Sequence, residues 1–522
     1  MEWLLVVLQY LAYLFVFAVG VGCLYVTALF IIDITQTSDA IRRNYPVVGR
    51  FRGIFTKLGE FFRQYFFAMD REEMPFNRAV RQWVYEASAQ ANHSAAFGST
   101  KCLTTPGTAI FVNCPFPTLD EDGAPSRSLP IGPNCRHPYQ APSFFNISGM
   151  SFGALSKPAV RALSHGAKLA GCWLNTGEGG LSPYHLESGC DIVFQIGTAK
   201  YGVRGGAGAL DDAKLKAVAA HPEVKMFEVK LSQGAKPGKG GILPGAKVTP
   251  EIAQIRGIEA GVDSISPNRH PEIDNVGELL DFIGHVRAIT GKPTGFKTVL
   301  SGIGWIEDLA QEIHARGLDS APDFITLDGG DGGTGAAPMA LMDNVGLPVG
   351  ETLPMLADCL HKHGLAIRIP IIAAGKLITP SEVAWALCAG ASFVNAARGF
   401  MFAMGCIQAL RCNKNNCPTG ITTHNPRLQR GLDPSRKSVR IANYCVNLKH
   451  EVEVIAHSCG VREPRLLRRK HVRILQDNGL SVPMDRLFPY PPAPPSSAPP
   501  TVSPHETHGR KWYRHGQNDD RG

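Results

Sequence analysis

The chain begins with its longest apolar segment. From Trp3 to Ile32 no charged residue occurs, and about 20 apolar residues are enough for a helix to cross a bilayer core. A secretory signal would place positive charge before the apolar run and small residues after it, whereas Glu2 precedes this run and Asp33 follows it. A buried core helix is disfavoured by the length of the run and its lack of charge. The pattern therefore predicts a retained transmembrane anchor at residues 1–35.

Positively charged residues follow the anchor closely. They are Arg42, Arg43, Arg50, Arg52 and Lys57. Because Lys and Arg concentrate on the cytoplasmic side of membrane helices, the pattern predicts a single-pass membrane protein whose remaining chain, including the catalytic domain, is cytoplasmic. Residues 36–130 then form a juxtamembrane accessory segment. Its aromatic cluster at 61–67 is compatible with packing on the main domain and partly at the bilayer surface.

Short apolar runs alternate with glycine turns and helix-like stretches between residues 131 and 480. The predicted strands are Phe144–Ser148, Trp173–Thr176, Met226–Leu231, Ser264–Ser266, Gly295–Leu300, Phe324–Asp328, Pro370–Ala374 and Phe393–Ala396. The predicted helices between them include Lys157–Ala170, Pro250–Ala260, Val276–Thr290 and Pro380–Ala389. This alternation predicts an α/β fold, and chemically active residues after nearly every strand favour a (β/α)8 TIM barrel with its site at the carboxyl ends of the strands. An open doubly wound sheet is the alternative, and the additional apolar run Asp191–Ile196 does not fit a count of eight.

Composition changes this picture little. The chain is 44% hydrophobic and 19% charged, as in ordinary globular proteins. Its net charge of +8 is modest and its basic residues concentrate near the two ends, so nucleic-acid binding is not predicted. A secreted disulfide framework is typical of much shorter chains, so most of the 13 cysteines are predicted to be reduced and buried. Residues 485–522, rich in Pro, Ser and charge, are predicted to be a disordered tail.

Glycine-rich segments follow three of the predicted strands. They cover residues 177–180, 230–245 and 328–335. Clustered glycines expose backbone N–H groups and let the chain close around an anion. Each segment alone is a weak signal, but three at strand ends indicate a phosphorylated cofactor. A bound nicotinamide dinucleotide is disfavoured, because no Rossmann glycine fingerprint opens a first βα unit.

Lysines occupy positions that a barrel would direct inward. Lys230 and Lys297 lie on predicted strands, and Lys236 lies just beyond one. A lysine in an apolar strand is costly unless it meets an anion. A reduced flavin ring or a dicarboxylate substrate would supply that anion, and a structural ion pair is the alternative.

One group of cysteines is compact. Cys406, Cys412 and Cys417 lie within a dozen residues, and Pro418 follows the last of them. Three thiolates at such spacing resemble an iron–sulfur loop and suit a three-iron cluster. Zinc would need a fourth ligand at finger-like spacing, for which His424 is the nearest candidate.

Five motifs in order resemble the FMN-binding synthase domain of glutamate synthases. They are Met150–Ser156, Gly177–Gly180, Ser232–Gly238, Asp331–Ala336 and the Cys-x5-Cys-x4-Cys-Pro segment that starts at Cys406. The resemblance runs from about Phe144 to about Asn425, and the whole chain with its anchor resembles the short stand-alone members. It implies a barrel that holds FMN and a three-iron–four-sulfur (3Fe-4S) cluster and reduces 2-iminoglutarate, formed from 2-oxoglutarate, to glutamate.

The resemblance also implies roles for individual residues. The flavin would contact Met150, Ser151, Gln233 and Lys297, and its phosphate would lie near Gly332, Gly333, Thr334, Gly375 and Arg398. Glu178, Gln233 and Lys297 are the implied catalytic residues, of which Lys297 would stabilise negative charge on the reduced flavin. Lys236 and Arg256 would bind the substrate carboxylates. Cys406, Cys412 and Cys417 would hold the cluster.

Some features depart from the family. Nothing resembles the glutaminase domain that opens full-length glutamate synthases, and Lys239 stands where the family often has an acidic residue. The nitrogen would therefore come from ammonia, an amine or a separate amidotransferase, and the electrons from ferredoxin or an NAD(P)H reductase subunit. An N-substituted glutamate synthase, such as a methylglutamate synthase, and a membrane-bound flavin and iron–sulfur electron-transfer subunit are the two alternatives.

Overall fold

The computed structural model describes residues 2–36, 39–62, 66, 69–91, 94 and 96–492. The chain divides into two compact units, Met1–Gln82 and Trp83–Gly522. Most of the predicted disordered tail, from residue 493 onward, lies outside the described residues. So do several residues of the aromatic cluster at 61–67.

Helices occur along the whole of the described chain. In chain order they are α1 Glu2–Thr35, α2 Ala40–Asn44, α3 Val48–Phe62, α4 Arg78–Ala89, α5 Lys157–Ala170, α6 Pro183–Leu186, α7 Asp212–Ala219, α8 Pro250–Arg256, α9 Val276–Thr290, α10 Gly304–Arg316, α11 Met339–Met342, α12 Val349–Lys362, α13 Pro380–Ala389, α14 Arg398–Ala403, α15 Pro426–Gln429, α16 Pro434–Ser458 and α17 Met484–Leu487. The predicted helices α5, α9 and α13 are confirmed to the residue, and α8 ends four residues before its predicted end.

The strands all belong to the larger unit. In chain order they are β1 Ala109–Phe111, β2 Leu129–Ile131, β3 Tyr139–Ala141, β4 Phe145–Ile147, β5 Leu174–Asn175, β6 Ile192–Ile196, β7 Val224–Lys230, β8 Ile242–Leu243, β9 Ser264–Ile265, β10 Thr294–Thr298, β11 Ile325–Asp328, β12 Ile371–Ala374, β13 Phe393–Ala396, β14 Val472–Leu475 and β15 Ser481–Pro483, as far as the described residues extend.

The N-terminal unit contains one helix that could span a membrane. Helix α1 has 34 residues, and its most apolar 18-residue window has a mean hydropathy of 2.5. At 1.5 Å per residue the helix is roughly 50 Å long, more than the thickness of a bilayer's hydrocarbon core. The short helices α2 and α3 follow it in the same unit.

Eight strands of the larger unit close into a barrel. Their order around the barrel is β4, β5, β6, β7, β10, β11, β12 and β13. All neighbours are parallel, and β13 closes the ring against β4 by pairing Val394 with Phe145. The predicted (β/α)8 barrel is therefore confirmed, and the open doubly wound sheet is excluded for this unit.

One of the eight predicted strands was assigned wrongly. Ser264–Ser266 does not enter the barrel, because Ser264 and Ile265 pair antiparallel with β8 in a separate two-stranded sheet. The third barrel strand is β6, within the run Asp191–Ile196 that had seemed surplus. The run looked misplaced because the crossover before it contains a helix of only four residues, α6.

Local sequence signals explain where the barrel helices begin and end. Ser156 caps α5 by accepting from the N–H of Ala159, and Gly171 ends the helix in a left-handed conformation. Helix α13 begins with a capping box in which Thr379 and Glu382 satisfy each other's backbone N–H groups. Such caps pair the donors that a helix terminus leaves unsatisfied.

The amino-terminal end of the barrel is plugged by apolar side chains. The buried cluster there consists of Ile131, Tyr139, Ala141, Trp173, Val193, Met226, Phe324, Ile372 and Phe393. Its first three members come from the β2–β3 hairpin, and the rings of Tyr139 and Trp173 lie 6.3 Å apart. The plug leaves the opposite end, where the strands finish, as the end at which polar groups converge.

Candidate functional site

Loops that follow different strands meet closely above the barrel. A Cβ atom on Gly234, in the loop after β7, would lie 2.3 Å from the carbonyl oxygen of Gly329, in the loop after β11. A Cβ on Gly375, after β12, would lie 3.0 Å from the backbone nitrogen of Gly329, and the φ of Gly375 is +125°. Glycine is therefore required where these backbones touch.

Glu178 lies at the centre of a group of cations. Its Oε1 is 2.8 Å from the Nζ of Lys230, which also donates to Gln233 at 2.5 Å. Burial opposes the ionisation of Glu178, but Lys230, Lys236 and Arg256 together hold its pKa below the usual range. The structure thus brings together Glu178, Gln233, Lys236 and Arg256, which the sequence had indicated from separate motifs.

Lys236 and Arg256 are the most deeply buried of these cations, each 4% exposed. Burial, with some repulsion from Lys230, lowers the pKa of Lys236 to about 8. The ammonium group of Lys236 is 3.5 Å from the carbonyl oxygen of Gly240. Charge at such depth is costly, so an anionic ligand there would offset part of that cost.

Arg256 connects the charged group around Glu178 to the loop after β4. Its guanidinium donates to the carbonyl of Phe152 at 3.3 Å and lies 3.5 Å from the hydroxyl of Ser151. Its guanidinium carbon is 5.0 Å from the centre of the Tyr201 ring, a cation–π geometry. Ser151 and its neighbour Met150 are both buried, so the predicted flavin-contacting pair lies beside the predicted carboxylate-binding arginine.

Lys297 lies on β10 and is paired with Asp328 at the end of β11. The Nζ of Lys297 is 2.9 Å from Oδ2 of Asp328, and the same oxygen accepts from the N–H of Gly234 at 3.0 Å. Burial works against the charge of Lys297, but Asp328 and Glu228 raise its pKa. The ion pair that the sequence left as an alternative is therefore present, and it fixes a charged ammonium group inside the barrel.

Beneath these cations the barrel interior holds a polar layer. Oε1 of Glu228 accepts from Asn175 at 2.8 Å and from Gln195 at 2.6 Å, and Oε2 accepts from Thr326 at 2.5 Å. The four residues come from four barrel strands, β7, β5, β6 and β11. This layer separates the apolar plug from the charged site above it.

The predicted phosphate loop has two kinds of glycine. The N–H of Gly332 donates to the carbonyl of Gly329 at 2.8 Å, so it shapes the turn itself. Within the part of the chain that is described, the N–H groups of Gly333 and Thr334 donate to no other group. Unpaired backbone donors in a glycine loop at a strand end fit a phosphate.

Arg398 joins this loop to the cysteine segment. One guanidinium nitrogen donates to the carbonyl of Thr334, and the other lies 3.8 Å from the Sγ of Cys412. Arg398 is the first residue of α14, directly beyond the last barrel strand. A single side chain therefore contacts both the candidate phosphate loop and one of the candidate cluster ligands.

The three loop thiols are close enough to influence one another electrostatically. Burial raises the pKa of Cys406 to about 11, with further contributions from Cys412 and Cys417, while Arg398 opposes the rise. Burial also acts against the Cys417 thiolate, but the hydroxyl of Thr419, 3.3 Å from its Sγ, helps to lower its pKa. Nε2 of His424 donates to the carbonyl oxygen of Gly153 at 2.8 Å, so this nitrogen is not free to bind a metal.

The backbone conformation of the cysteine loop and the charges beside it also fit an iron–sulfur cluster. Gln408, Leu410 and Asn415 have φ values of +56°, +54° and +53°, a conformation that is costly for most residues with a side chain. The buried ammonium group of Lys247 donates to the carbonyls of Ala154 at 2.7 Å and of Cys412 at 3.2 Å. Three thiols in one loop with two adjacent cations, Arg398 and Lys247, match the thiolate donor set of an iron–sulfur cluster.

Several residues of the site were missed by sequence reasoning. Glu228, Asp328 and Lys247 have central contacts, yet none of them was predicted to be a site residue. Glu228 and Asp328 carried the signal that singled out Lys230 and Lys297, a charge within a short apolar strand. Lys247 carried no such signal, because it lies in a loop where lysine is common.

A closed parallel barrel with buried cations and glycine loops at its carboxyl end defines a (β/α)8-barrel enzyme that binds anionic ligands there. The family model described as the conserved region in glutamate synthase matches residues 124–462. The glutamate synthase large subunit-like protein YerD of Bacillus subtilis is 38% identical over 499 residues, which cover 88% of this chain and 94% of YerD. The chain belongs to the FMN-binding glutamate synthase family and is an oxidoreductase of that type.

More distant relatives cover less of the chain. The archaeal-type glutamate synthase (NADPH) of Thermotoga maritima is 32% identical over 351 residues, covering 67% of this chain and 65% of that protein. The archaeal glutamate synthase (NADPH) of Methanocaldococcus jannaschii is 33% identical over 328 residues, covering 63% and 61%. The matched region therefore spans somewhat less than two thirds of each of these two proteins.

Proposed function

We propose that this protein catalyses the reductive amination of 2-oxoglutarate, through 2-iminoglutarate, to glutamate with FMN and a 3Fe-4S cluster. The observation that carries the proposal is the charge of the pocket. Lys230, Lys236 and Arg256 outnumber the carboxylate of Glu178 on which they act. The surplus of two positive charges matches the two carboxylates of 2-oxoglutarate.

The residues of the chain would divide the work of binding and orientation. Lys236 and Arg256 would each hold one substrate carboxylate, and Glu178 and Gln233 would line the wall between substrate and flavin. Lys297 would place its positive charge beside the flavin ring, where Asp328 already fixes it. Fixed charges of this kind stabilise developing charge without reorganisation.

Both cofactors have matching residues. Met150, Ser151, Gln233, Lys297 and the loops at Gly332, Gly333, Thr334, Gly375 and Arg398 would hold FMN, and Cys406, Cys412 and Cys417 would hold the cluster. When bound, FMN supplies hydride chemistry and the cluster supplies single electrons. The protein's contribution is to position the imine carbon and to exclude water around it.

The partners follow from the proposed reaction. No glutaminase motif was recognised in the sequence, so ammonia, an amine or a separate amidotransferase would supply the nitrogen. Ferredoxin or an NAD(P)H reductase subunit would supply the electrons, and NADPH stands in the names of several relatives. Helix α1 would anchor the protein in the membrane with the barrel in the cytoplasm, as the basic flank after it indicates.

An anaerobic reoxidation assay tests the proposal. The full chain in detergent is reduced chemically, and flavin absorbance and glutamate are followed after 2-oxoglutarate is added with ammonium or with methylamine. We expect reoxidation only when both substrates are present, with glutamate as the product. Reoxidation by 2-oxoglutarate with methylamine but not with ammonium would instead indicate an N-substituted glutamate synthase. A flavin that stays reduced with both nitrogen donors would indicate an electron-transfer subunit.

The cluster has a separate test. Cys412→Ser should lose iron and the cluster's electron paramagnetic resonance signal, because one of three thiolates is removed. Cys102→Ser, which changes an exposed cysteine outside the loop, is the matched control and should keep both. Iron at wild-type stoichiometry in Cys412→Ser would contradict the ligand assignment.

A further inference from the structure

Helix α3 has two unlike faces. Phe51, Ile54, Phe55 and Leu58 recur at the spacing of one helical face, and each is between 44% and 64% exposed. The two edges of this stripe carry Arg52 and Lys57 and the opposite side carries Thr56, and all three are also exposed. Four large apolar side chains on one exposed stripe are more than an ordinary solvated helix carries. Such a face indicates that an apolar surface binds there.

The start of α3 is fixed to the end of α1. Asp33, fully buried on α1, is 2.7 Å from a guanidinium nitrogen of Arg42 and 2.8 Å from one of Arg50. The same carboxylate accepts from the N–H of Val47 at 2.9 Å. Val47 has a φ of +66°, which is costly for a β-branched residue and persists only where its surroundings hold it.

This arrangement fixes the position of the start of α3 along the axis of α1. Because Asp33 is in the last turn of the apolar helix, the clamp holds the start of α3 where α1 leaves its apolar run. We infer that α3 lies in the surface of the bilayer that α1 crosses, with its apolar face at the acyl boundary and its cations among anionic headgroups. The inference rests on the proposed insertion of α1.

Charge favours anionic lipid over a neutral surface. Arg43, Arg52 and Lys57 are exposed around α2 and α3 in addition to the two arginines of the clamp. Arg52 and Lys57 flank the apolar stripe, where long side chains can extend toward headgroups while their stems remain on the apolar side. An apolar face with basic edges is typical of helices that lie in a membrane interface.

The experiment places a fluorescent amino acid, dansylalanine, at one position of the full chain by amber suppression. Position 55 reports the apolar face of α3, position 56 its opposite face, and position 14 the middle of α1. The protein is reconstituted into vesicles of phosphatidylcholine alone or with phosphatidylglycerol. Lipids brominated on their acyl chains then quench any label that reaches the acyl region.

We expect the label at position 55 to be quenched about twofold or more in anionic vesicles and the label at position 56 to be nearly unaffected. Quenching at position 55 should decrease without phosphatidylglycerol. Quenching at position 14 with none at position 55 would overturn the inference while leaving the anchor in place. The absence of quenching at all three positions would instead overturn the proposed membrane insertion.

Discussion

Burial and the positive charge of Lys230 both disfavour the charged form of the Lys236 ammonium group, and Glu178 favours it. Burial lowers its pKa to about 8, so the group is charged below that pH and neutral above it. A bound dicarboxylate needs the charged form. We therefore expect the affinity for 2-oxoglutarate to fall as the pH rises past about 8, measured by calorimetric titration of the FMN-loaded protein.

The matching substitution is Lys236→Ala. It should weaken 2-oxoglutarate binding by roughly 10-fold to 100-fold, because a hydrogen bond to a charged group contributes about 1.5–3 kcal/mol. FMN content should not change. Lys239→Ala, which removes an exposed neighbour, is the control and should leave the affinity unchanged. Equal affinities in the two variants would remove Lys236 from the substrate site.

Glu228 offers a test of the polar layer. Glu228→Leu would leave the donors of Asn175, Gln195 and Thr326 without their partner. Each unpaired buried group costs about 1–3 kcal/mol, so the free energy of unfolding should fall by at least about 3 kcal/mol in urea denaturation. Glu228→Gln keeps the shape and one acceptor oxygen for Asn175 and Gln195, and its amide NH2 can donate to the hydroxyl of Thr326, so it should lose much less. Similar losses in the two variants would mean that the negative charge of Glu228, which both variants remove, and not its hydrogen bonds, explains the residue.

Among individual residues, the sequence predicted the cations of the site better than its carboxylates. Lys230 and Lys297 stood out because a positive charge in an apolar strand suggests an anionic ligand. Glu228 and Asp328 lie in barrel strands next to that of Lys297 and stabilise its positive charge from inside the protein. Their role depends on which neighbours the barrel brings near, and sequence spacing does not contain that information.

Among the elements, regular βα units were predicted well and irregular ones were not. Helices α5 and α9 follow from their periodicity and caps. Strand β6 was misjudged because a one-turn helix precedes it, and β9 because a helix on each side made it look like a barrel strand. What distinguishes β6 from β9 is the strand to which each is hydrogen-bonded, and the pattern of apolar residues along the sequence does not show this.

The contact between the loops after β7 and β11 can be tested with one methyl group. Gly234→Ala would place a Cβ 2.3 Å from a backbone oxygen, where no flexible side chain can give way. We expect a loss of stability of about 1–3 kcal/mol and a loss of FMN from the purified protein. Gly302→Ala, where a Cβ meets open space, is the control. Full FMN content in Gly234→Ala would show that the two loops can separate without affecting the cofactor.

For the whole molecule, we expect the N-terminal unit, and not the barrel unit, to bind membranes. A chain that lacks residues 1–62 loses α1–α3 and keeps every barrel strand. We expect the shortened chain to bind FMN. In a flotation gradient with vesicles it should stay at the bottom, while the full chain should float with the vesicles. Flotation of the shortened chain would assign membrane binding to the larger unit.

The closure of the barrel also affects how the protein is made. Val394 pairs with Phe145, so the last seam joins residues 249 positions apart (394 − 145). At about 5–20 residues per second, the ribosome needs roughly 12–50 s to supply the second residue after the first. During that time the number of barrel strands rises from one to seven, and the sheet keeps an open edge until β13 is made. The apolar N-terminal helix is synthesised before all of them. A nascent chain of this design needs early capture of its first helix and protection of its unfinished sheet, and slow codons after residue 396 would do less harm than slow codons before it.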